Sequence, residues 1–594
     1  MCPGTSTTAR TRRTDALSPA TRTPPTRRRP HRADAPHLSN HQEEPAMRTK
    51  LCTTAAGLAG ALLFTAGCSG ASSGAGGTTA DAAELKLTNT TAKASGEAAT
   101  VNWLVEQEPG SLDLDRQGTT SGRTVLANVC ERLLQLQPDL TTEPQLAAKA
   151  EYTDDKTLVL TLRDGVTFHD GSPMTADDVV WSLKRHARPE MSESDEYEDV
   201  DKITKTGASE VTVTFKEPSA LFMKALAGDA GIIMDRETVE KQGDDYGTPG
   251  QPDACTGPYR LKSWDSGSSI TIERYADYWD DSSPALTKNV VFRWATGSAL
   301  VNAVSTGAAD GAYLTATGPA AVLAEKKGVR AYYGQSTTAW SLSPTDSGAL
   351  KDARLRKALS LALDREGIAK SGFSGLAQPW ATPVGPGAWG YEKAAFQKAQ
   401  TDLEKSTAYT PSPSSDDIAQ AKKLVEEAGA PAQPIVVASD GGESQTVITN
   451  AVRGAAQKIG LEVTVKTVPP SQYDEFFADP KAREGFDLIA VDWYISKADP
   501  VGFYDNGMSG SANNWLGYSD GDYDALVKKA QQTIDDKERA KLVIEAQSKF
   551  ADAAVWIPLV QVPSVLVLGE KYTGPPASMV SLYYPWAADL GTKG

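Results

Sequence analysis

Apolar and polar residues alternate along residues 157–162, and the spacing then changes to that of a helix. Leucine occupies every second position of 157–162, with threonine or valine between, which predicts a strand with one buried face. Asp-Gly pairs at 164–165 and 170–171 predict two turns. Thr175 stands three residues before Asp178, a capping box that predicts the start of a helix. The segment is therefore expected to form a strand, a turn and a helix.

A second periodic region lies between positions 434 and 468. Residues 435–437 form a short apolar strand, residues 448–459 carry an apolar stripe at helical spacing, and Gly460 ends the helix. Apolar residues then alternate along 461–465 as a second strand. This order predicts a βαβ unit with parallel strands and a right-handed crossover.

A third apolar strand is predicted at 488–491, and it is followed directly by Asp492, Trp493 and Tyr494. Ligands of open α/β sheets bind outside the carboxyl ends of the strands. We therefore expect a ligand site at this end of the sheet.

The N-terminal region has the pattern of a secretory signal. Residues 47–50 are basic, residues 51–67 are apolar with small side chains, and Cys68 follows, as at a lipoprotein cleavage site, although Thr65 stands where leucine is commonest. Cys68 is then the lipidated first residue of the mature chain. A transmembrane anchor is the alternative, but an apolar run of about 17 residues is at the short limit for a span.

Residues 1–46 do not fit a signal peptide, because they are rich in arginine, proline and threonine and have no apolar periodicity. We expect them to be an untranslated or disordered leader, with translation starting at Met47. A nucleic-acid-binding arm is the other interpretation, which the lack of interleaved aromatic residues disfavours. Residues 68–97 have the Ser, Gly, Ala and Thr composition of a flexible tether.

The charge excludes some classes of partner. The whole chain carries a net charge of −16, and residues 1–67 hold ten basic and four acidic side chains, so the chain after Gly67 carries −22. A surface this acidic argues against nucleic acid or an anionic membrane surface as partner.

Eight segments in order along the chain carry a more specific pattern. They are EPGSLDLD (108–115), CERLL (130–134), LVLTLRDGVTFHDGSPMTADDVVWSLKR (158–185), TGPYRL (256–261), RYADYWD (274–280), DARLRKALSLALDRE (352–366), FDLIAVDWY (486–494) and AQSKFADAAVWIPL (546–559). Together they resemble the family 5 solute-binding proteins of ABC importers, whose members include oligopeptide and dipeptide receptors. In this comparison CERLL matches a helix.

The resemblance implies an α/β, two-lobed periplasmic-binding-protein-like fold of type II (cluster C), with an extra subdomain and a hinge between the lobes. The expected first lobe combines 98–131, 257–345 and 555–594. The inserted subdomain is 132–256, and the second lobe is 346–554.

The function implied is that of an extracytoplasmic lipoprotein anchored on the cell membrane. It would capture peptides or peptide-like solutes in a cleft between the lobes and deliver them to ABC permease subunits with their cytoplasmic ATPases. A receptor for an oligosaccharide or another non-peptide solute, and a lipoprotein that senses a signal peptide without import, are the alternatives.

An enzyme is disfavoured by the residues themselves. Only His169 and His186 follow the leader, and H-E-x-x-H, P-loop G-K-[ST] and paired C-x-x-C motifs are missing from the sequence. A secreted hydrolase of cell-wall peptides is therefore the least favoured class, and no catalytic residue, cofactor or metal is predicted.

Two cysteines, Cys130 and Cys255, follow the lipidation site. A lone pair in an oxidising compartment is a disulfide candidate, and the resemblance places both near the chain crossings between the first two subdomains. Two buried reduced thiols are the alternative.

The resemblance also suggests ligand-binding residues. Trp493, Tyr494 and Trp515 belong to the segment that lines the cleft in such receptors, with Asn513 and Asn514 as amide partners. For the aromatic candidates both binding and core packing are open, and Glu131 matches a cleft-side carboxylate that could instead cap a helix. The further aromatic candidates are Trp340, Tyr583 and Tyr584.

One position departs from the family pattern. Peptide receptors of the family resemble W-x-x-D here, and the Asp pairs with the α-ammonium of the peptide, whereas this chain has Ser496 at that position. A buried ammonium without a carboxylate loses a charge-assisted hydrogen bond. Either Asp492 or Asp499 takes this role, or the ligand has no free amine.

Overall fold

The computed structural model describes residues 85–282, 284–405 and 408–594. The leader, the signal segment, the lipidation site Cys68 and the start of the expected tether lie outside the described residues. Within the described ranges, no helix has both the length and the apolar character needed to cross a membrane.

The first lobe contains a seven-stranded mixed sheet with a large apolar core. From edge to edge the strands are Val329–Gly334, Ser564–Gly569, Gly311–Leu314, Ala98–Val105, Thr287–Trp294, Ser269–Arg274 and Tyr259–Asp265. Its helices are Thr120–Leu126, Gly297–Thr306, Thr317–Ala324 and Trp586–Asp589. A strand pair formed by Tyr572–Thr573 and Gly591–Thr592 ties down the C-terminus.

The inserted subdomain contains a four-stranded antiparallel sheet with its own apolar core. The strands are, in order, Ala147–Asp154, Thr157–Leu162, Glu210–Phe215 and Val200–Gly207, with a separate pair Leu134–Leu136 and Thr142–Pro144. The helices are Ala176–His186, Phe222–Ala225 and Arg236–Gln242. The predicted capping box is confirmed, because the Thr175 side chain accepts from the Asp178 N–H and the Asp178 carboxylate accepts from the Thr175 N–H at 2.9 Å.

The second lobe contains a six-stranded mixed sheet covered by helices on both faces. The strands are, in order, Gln378–Pro379, Ile557–Gln561, Ala339–Pro344, Leu488–Trp493, Ile435–Ser439 and Val463–Thr467. The helices are Ala353–Ala362, Arg365–Gly372, Lys393–Glu404, Ser415–Ala428, Glu443–Lys458, Pro470–Ala478, Val501–Tyr504, Gly521–Gln532 and Asp536–Asp552. The predicted βαβ unit is confirmed, because Ile435–Ser439 pairs in parallel with both Val463–Thr467 and Leu488–Trp493. The two lobes and the insertion form the expected two-lobed α/β architecture.

Two strands that were expected in the first lobe belong to the second lobe. The ranges 257–345 and 555–594 assign Ala339–Pro344 and Ile557–Gln561 to the first lobe, but both strands belong to the six-stranded sheet. Apolar patterning identifies a buried strand without showing which sheet it joins, and here backbone pairing decides. The crossings between the lobes therefore lie near 335–338 and 562–563.

Two further expectations are corrected. CERLL is not helical, because the helix Thr120–Leu126 ends before it and Arg132 pairs as an isolated bridge with Ile232.

The last part of the expected tether lies on the first lobe, where the Thr88 N–H donates to the Tyr333 carbonyl at 2.7 Å and the Gly96 N–H to the Thr592 carbonyl at 3.1 Å. Such backbone contacts cannot be predicted from amino-acid composition.

A buried ionic network joins the first lobe to the insertion. Arg185 donates to the Asp113 carboxylate at 2.6 Å and also to Asp115, while His186 Nδ1 lies 2.6 Å from the Asp115 carboxylate. Burial alone would lower the pKa of the His186 imidazole, but Asp115 outweighs it and raises the pKa. His169 pairs in the same way with Asp253 at 2.5 Å. Both histidines are held in structural ion pairs.

The structure joins Cys130 and Cys255 in a disulfide, which favours this alternative over two free thiols. Their Cα atoms are 4.7 Å apart and the bond closes a loop with a sequence separation of 125 residues. The bond therefore ties the entry of the insertion to its exit.

Removing this bond should destabilise the protein. A disulfide restricts the unfolded chain, so Cys130→Ala with Cys255→Ala should lower the free energy of unfolding by about 2–4 kcal/mol. Urea denaturation of wild type and variant, each with and without reductant, measures the effect. Wild type should respond to reductant and the variant should not; equal midpoints in all four samples would contradict the prediction.

Candidate functional site

A cleft of about 680 Å³ lies between the two sheets and is lined from both lobes. The crossing segments 335–338 and 562–563 contribute Ser336, Thr338, Val562 and Pro563 to it. The first lobe contributes Glu106, Arg123, Tyr313, Thr315 and Ser581. The second lobe contributes Trp340, Phe373, Asp440, Glu443, Gln445 and Asp492, with Tyr494 beside them. Movement about the crossings would therefore change the width of the cleft.

The strand Leu488–Trp493 decides which of its side chains reach the cleft. Successive residues of a strand point to opposite faces. Asp492 lies opposite Trp340 on the neighbouring antiparallel strand, so the two side chains share a face, and both line the cleft. Trp493 points to the other face, where its ring lies 5.4 Å from that of Trp556.

Three of the predicted site residues line the cleft: Trp340, Asp492 and Tyr494. Tyr583 is buried behind them, and its hydroxyl forms a hydrogen bond with that of Tyr494. Tyr584 instead donates to Asp589 at 2.8 Å, away from the cleft.

The two other predicted tryptophans are core residues. Trp493 packs among Phe477, Phe503 and Trp556 in an apolar cluster of the second lobe. Trp515 is only 4 % exposed and packs on Phe477 in the same cluster. The core-packing interpretation therefore holds for both, because each ring fills space between helices of this lobe.

The predicted polar partners are also occupied or distant. The side chain of Asn514 donates to the carbonyls of Met508 and Tyr518 and accepts from the Tyr518 N–H, so it stabilises its own loop. Neither Asn513 nor Ser496 lines the cleft.

Glu131 is buried at the first crossing into the insertion rather than in the cleft. It accepts from the Tyr278 hydroxyl at 2.7 Å, from the Trp279 indole at 2.9 Å and from the Gln145 amide at 3.3 Å. Burial raises the pKa of its carboxyl.

Asp499 is not available as a counter-ion for a ligand. Its carboxylate is fully buried and accepts from Arg539 Nε at 2.8 Å, from the Tyr391 hydroxyl at 2.9 Å and from the Val501 N–H at 3.1 Å. These donors use both of its oxygens. Of the two alternatives to the family carboxylate, the geometry therefore leaves Asp492.

Carboxylates dominate the polar groups of the cleft. Asp440 follows the strand Ile435–Ser439 directly and lies beside Asp492, at the carboxyl ends of two neighbouring parallel strands. Asp492 keeps an exposed surface in the cleft, but partial desolvation by the cleft walls, together with the negative charge of Asp440, raises the pKa of its carboxyl. Two neighbouring carboxylates of this kind are suited to bind a cation.

Among the described residues, the cleft-lining Gln445 carries an acceptor without a partner. The Gln445 amide nitrogen donates to the Ala490 carbonyl at 3.1 Å and to the Tyr473 hydroxyl at 2.9 Å. Its Oε1 has no hydrogen-bond partner within the described part of the chain, although the residue is only 5 % exposed. A buried acceptor is costly unless a donor reaches it.

The residues of the cleft that were not predicted from the sequence include the charged Glu106, Arg123, Asp440 and Glu443 and the amide Gln445. Asp440 could have been predicted as a site residue, because it comes directly after the first strand of the predicted βαβ unit, where ligands bind. Gln445 follows it on the helix of that unit. Glu106 and Arg123 belong to the other lobe, and no pattern in the neighbouring sequence indicates that they reach the cleft.

Loss of the Asp499 carboxylate should affect stability. Asp499→Asn leaves the buried Arg539 with the exposed Asp536 as its remaining carboxylate partner among the described residues, so the free energy of unfolding should fall by about 3 kcal/mol or more. Urea denaturation tests this, with the exposed Asp474→Asn as control, expected to change stability by about 0.5 kcal/mol or less. An Asp499→Asn protein as stable as the control would show that the pair contributes little.

Comparison with known proteins identifies the family. A family model described as bacterial extracellular solute-binding proteins, family 5 middle, matches residues 141–515. The chain is 26 % identical over 479 residues to the glutathione-binding protein GsiB of Salmonella typhi, covering 78 % of this chain and 89 % of that protein. It is 25 % identical over 506 residues to the dipeptide-binding protein DppE of Bacillus subtilis, covering 81 % and 90 %.

Solved structures show the same fold. The substrate-binding protein CtaP of Listeria monocytogenes superposes with a TM-score of 0.72 at 23 % identity, covering 84 % of this chain and all of that one. DppA of Helicobacter pylori in complex with the peptide STSA gives a TM-score of 0.67 at 20 % identity, covering 84 % and 99 %. The family match extends over more than half of the chain, and the chain therefore belongs to the bacterial extracellular solute-binding proteins of family 5.

Proposed function

We propose that this protein is a lipid-anchored receptor that captures peptides or peptide-like solutes in the cleft between its lobes and delivers them to an ABC permease. The observation that carries the proposal is the carboxylate of Asp492, which has no ion-pair partner among the described residues and lies in a cleft of about 680 Å³ between two lobes. This volume lies within the range of small-ligand sites in proteins. The lipid anchor at Cys68 rests on the signal pattern alone.

Asp492 is the proposed counter-ion for the α-ammonium of the solute. An ammonium placed between Asp492 and Asp440 would make charge-assisted hydrogen bonds, which are stronger than neutral ones. The ring of Trp340 lies across the strand pair from Asp492 and is in position for a cation–π contact. Asp492 would then take the role of the aspartate that the peptide receptors of the family have at the position of Ser496.

Closure of the lobes would complete the site. Tyr494 of the second lobe and Tyr583 of the first share a hydrogen bond beside the cleft, and Lys497 forms an ion pair with Glu196 of the insertion. Both contacts lie within a few residues of Asp492 along the chain. Ligand binding and lobe closure are therefore proposed to be coupled through this segment.

The counter-ion role predicts the effect of one substitution. Asp492→Asn should lower the affinity for Ala-Ala-Ala by about 30-fold or more, because the ammonium loses its charged partner inside a closed cleft. Isothermal titration calorimetry measures this, with Asp474→Asn as the control that should bind as wild type does. N-acetyl-Ala-Ala-Ala, which has no ammonium, should bind wild type weakly.

Two results would contradict this proposal. Equal affinity of wild type and Asp492→Asn for the free peptide would remove Asp492 from recognition. Failure of any peptide to bind, together with binding of an oligosaccharide, would replace the class of solute.

The pKa of Asp492 predicts how binding depends on pH. Because the pKa is raised, a growing share of Asp492 is protonated as the pH falls from neutral, while the peptide amine stays protonated. Affinity should therefore decrease on acidification at a higher pH than an ordinary aspartate would require. Asp440→Asn removes a like charge and should move this decrease to lower pH. Titrations between about pH 7 and pH 3, a range that includes the ordinary aspartate pKa of about 3.9, test it. An unchanged midpoint in Asp440→Asn would contradict the coupling.

A further inference from the structure

We infer that the cleft selects solutes that carry a second positive charge, namely peptides with a lysine or arginine side chain in addition to the α-ammonium. This inference rests on the proposed function and names the class of peptide. It starts from the charges of the cleft. The described residues that line it include four carboxylates, Glu106, Asp440, Glu443 and Asp492, and one basic side chain, Arg123.

Arg123 cannot balance these carboxylates. Its Nε donates to Asp229 at 2.5 Å, one of its terminal nitrogens donates to the Gly118 carbonyl at 2.9 Å, and Glu193 lies 3.9 Å from the other. Asp229 also pairs with Arg132 at 3.1 Å, so part of the Arg123 charge remains. This single arginine can balance at most one of the four carboxylates, and its donors are directed to Asp229 and the Gly118 carbonyl. A cleft with uncompensated charge of one sign attracts ligands of the opposite sign.

A single ammonium leaves part of this charge unbalanced. Asp440 and Asp492 lie on neighbouring strand ends and can share one cation. Glu106 belongs to the first lobe, where the donor to its carboxylate within the described ranges is a neutral hydroxyl, that of Thr315. Glu443 lies at the exposed start of the helix Glu443–Lys458. Closing the lobes would bring these charges together in a smaller, drier space, which is unfavourable without a further cation between them.

Gln445 is an independent indication of a donor-rich ligand. Its amide nitrogen donates to the Ala490 carbonyl, and turning the amide over would place Oε1 against that carbonyl oxygen, so the nitrogen must occupy this position. Oε1 is thereby left as a buried acceptor on a residue that lines the cleft, without a partner among the described residues. Ammonium and guanidinium groups offer three and five N–H donors and no acceptor, so they suit such a wall.

Matched tripeptides test the inference. Ala-Lys-Ala, Ala-Gln-Ala and Ala-Glu-Ala differ in the charge of one side chain of similar length. Calorimetry at about 0.15 M salt should show Ala-Lys-Ala binding about tenfold more tightly than Ala-Gln-Ala, and Ala-Glu-Ala more weakly than both. The preference for lysine should decrease as salt is raised.

Two substitutions locate the preference. Glu106→Gln combined with Glu443→Gln should reduce the ratio of the lysine and glutamine affinities to about threefold or less, since it removes two of the four carboxylates. The ratio is measured on one protein, so a general loss of affinity cancels. Glu325→Gln with Glu426→Gln is the matched control, because both glutamates are exposed and lie outside the cleft, and it should keep the wild-type ratio.

The outcomes separate this inference from the proposed function. Equal binding of Ala-Lys-Ala and Ala-Gln-Ala to wild type would overturn the charge preference and leave the peptide receptor intact. A full preference that persists in Glu106→Gln with Glu443→Gln would overturn the assignment to these carboxylates. If none of the three tripeptides binds, the proposed function fails and the inference fails with it.

Discussion

The strand Leu488–Trp493 is buried on both faces, and the site depends on its alternation. Leu488 and Ala490 pack into one apolar cluster of the second lobe, while Ile489 and Val491 pack into the cluster on the opposite face. A shift by one residue would exchange these sets, so the register is strongly constrained. The same constraint directs Asp492 into the cleft and Trp493 into the core. A rigid, apolar strand thereby holds a charged group at the edge of the cleft.

Local periodicity predicted three of the six strands of this sheet and only part of the site. The βαβ unit and the capping box at Thr175 follow from patterns within about 35 residues, where spacing alone carries the information. The same alternation distinguishes Asp492 from Trp493, although aromatic character favoured Trp493. Asp499 could not be assigned in this way, because its partner Arg539 comes 40 residues later in the chain.

Contacts between distant segments account for the rest. Glu106 and Arg123 reach the cleft only because the first lobe faces the second, and no local pattern records that arrangement. The lobe boundaries failed for the same reason, because Ala339–Pro344 and Ile557–Gln561 are buried strands whose own sequence does not show which sheet they join. Ala339–Pro344 lies between Ile557–Gln561 and Leu488–Trp493, and both partners are remote from it in sequence. Motif resemblance supplied the architecture, but it misplaced these strands.

The proposed positive charge of the solute also affects when the lobes can close. If the solute cation lies between Asp440 and Asp492 of one lobe and Glu106 of the other, the carboxylates that attract it also repel one another when the cleft is empty. The repulsion grows as the lobes approach and water leaves. An empty receptor would therefore favour the open form, and the cation would remove the penalty that keeps it open. The charge that selects the solute would also let a permease distinguish loaded receptors from empty ones by shape.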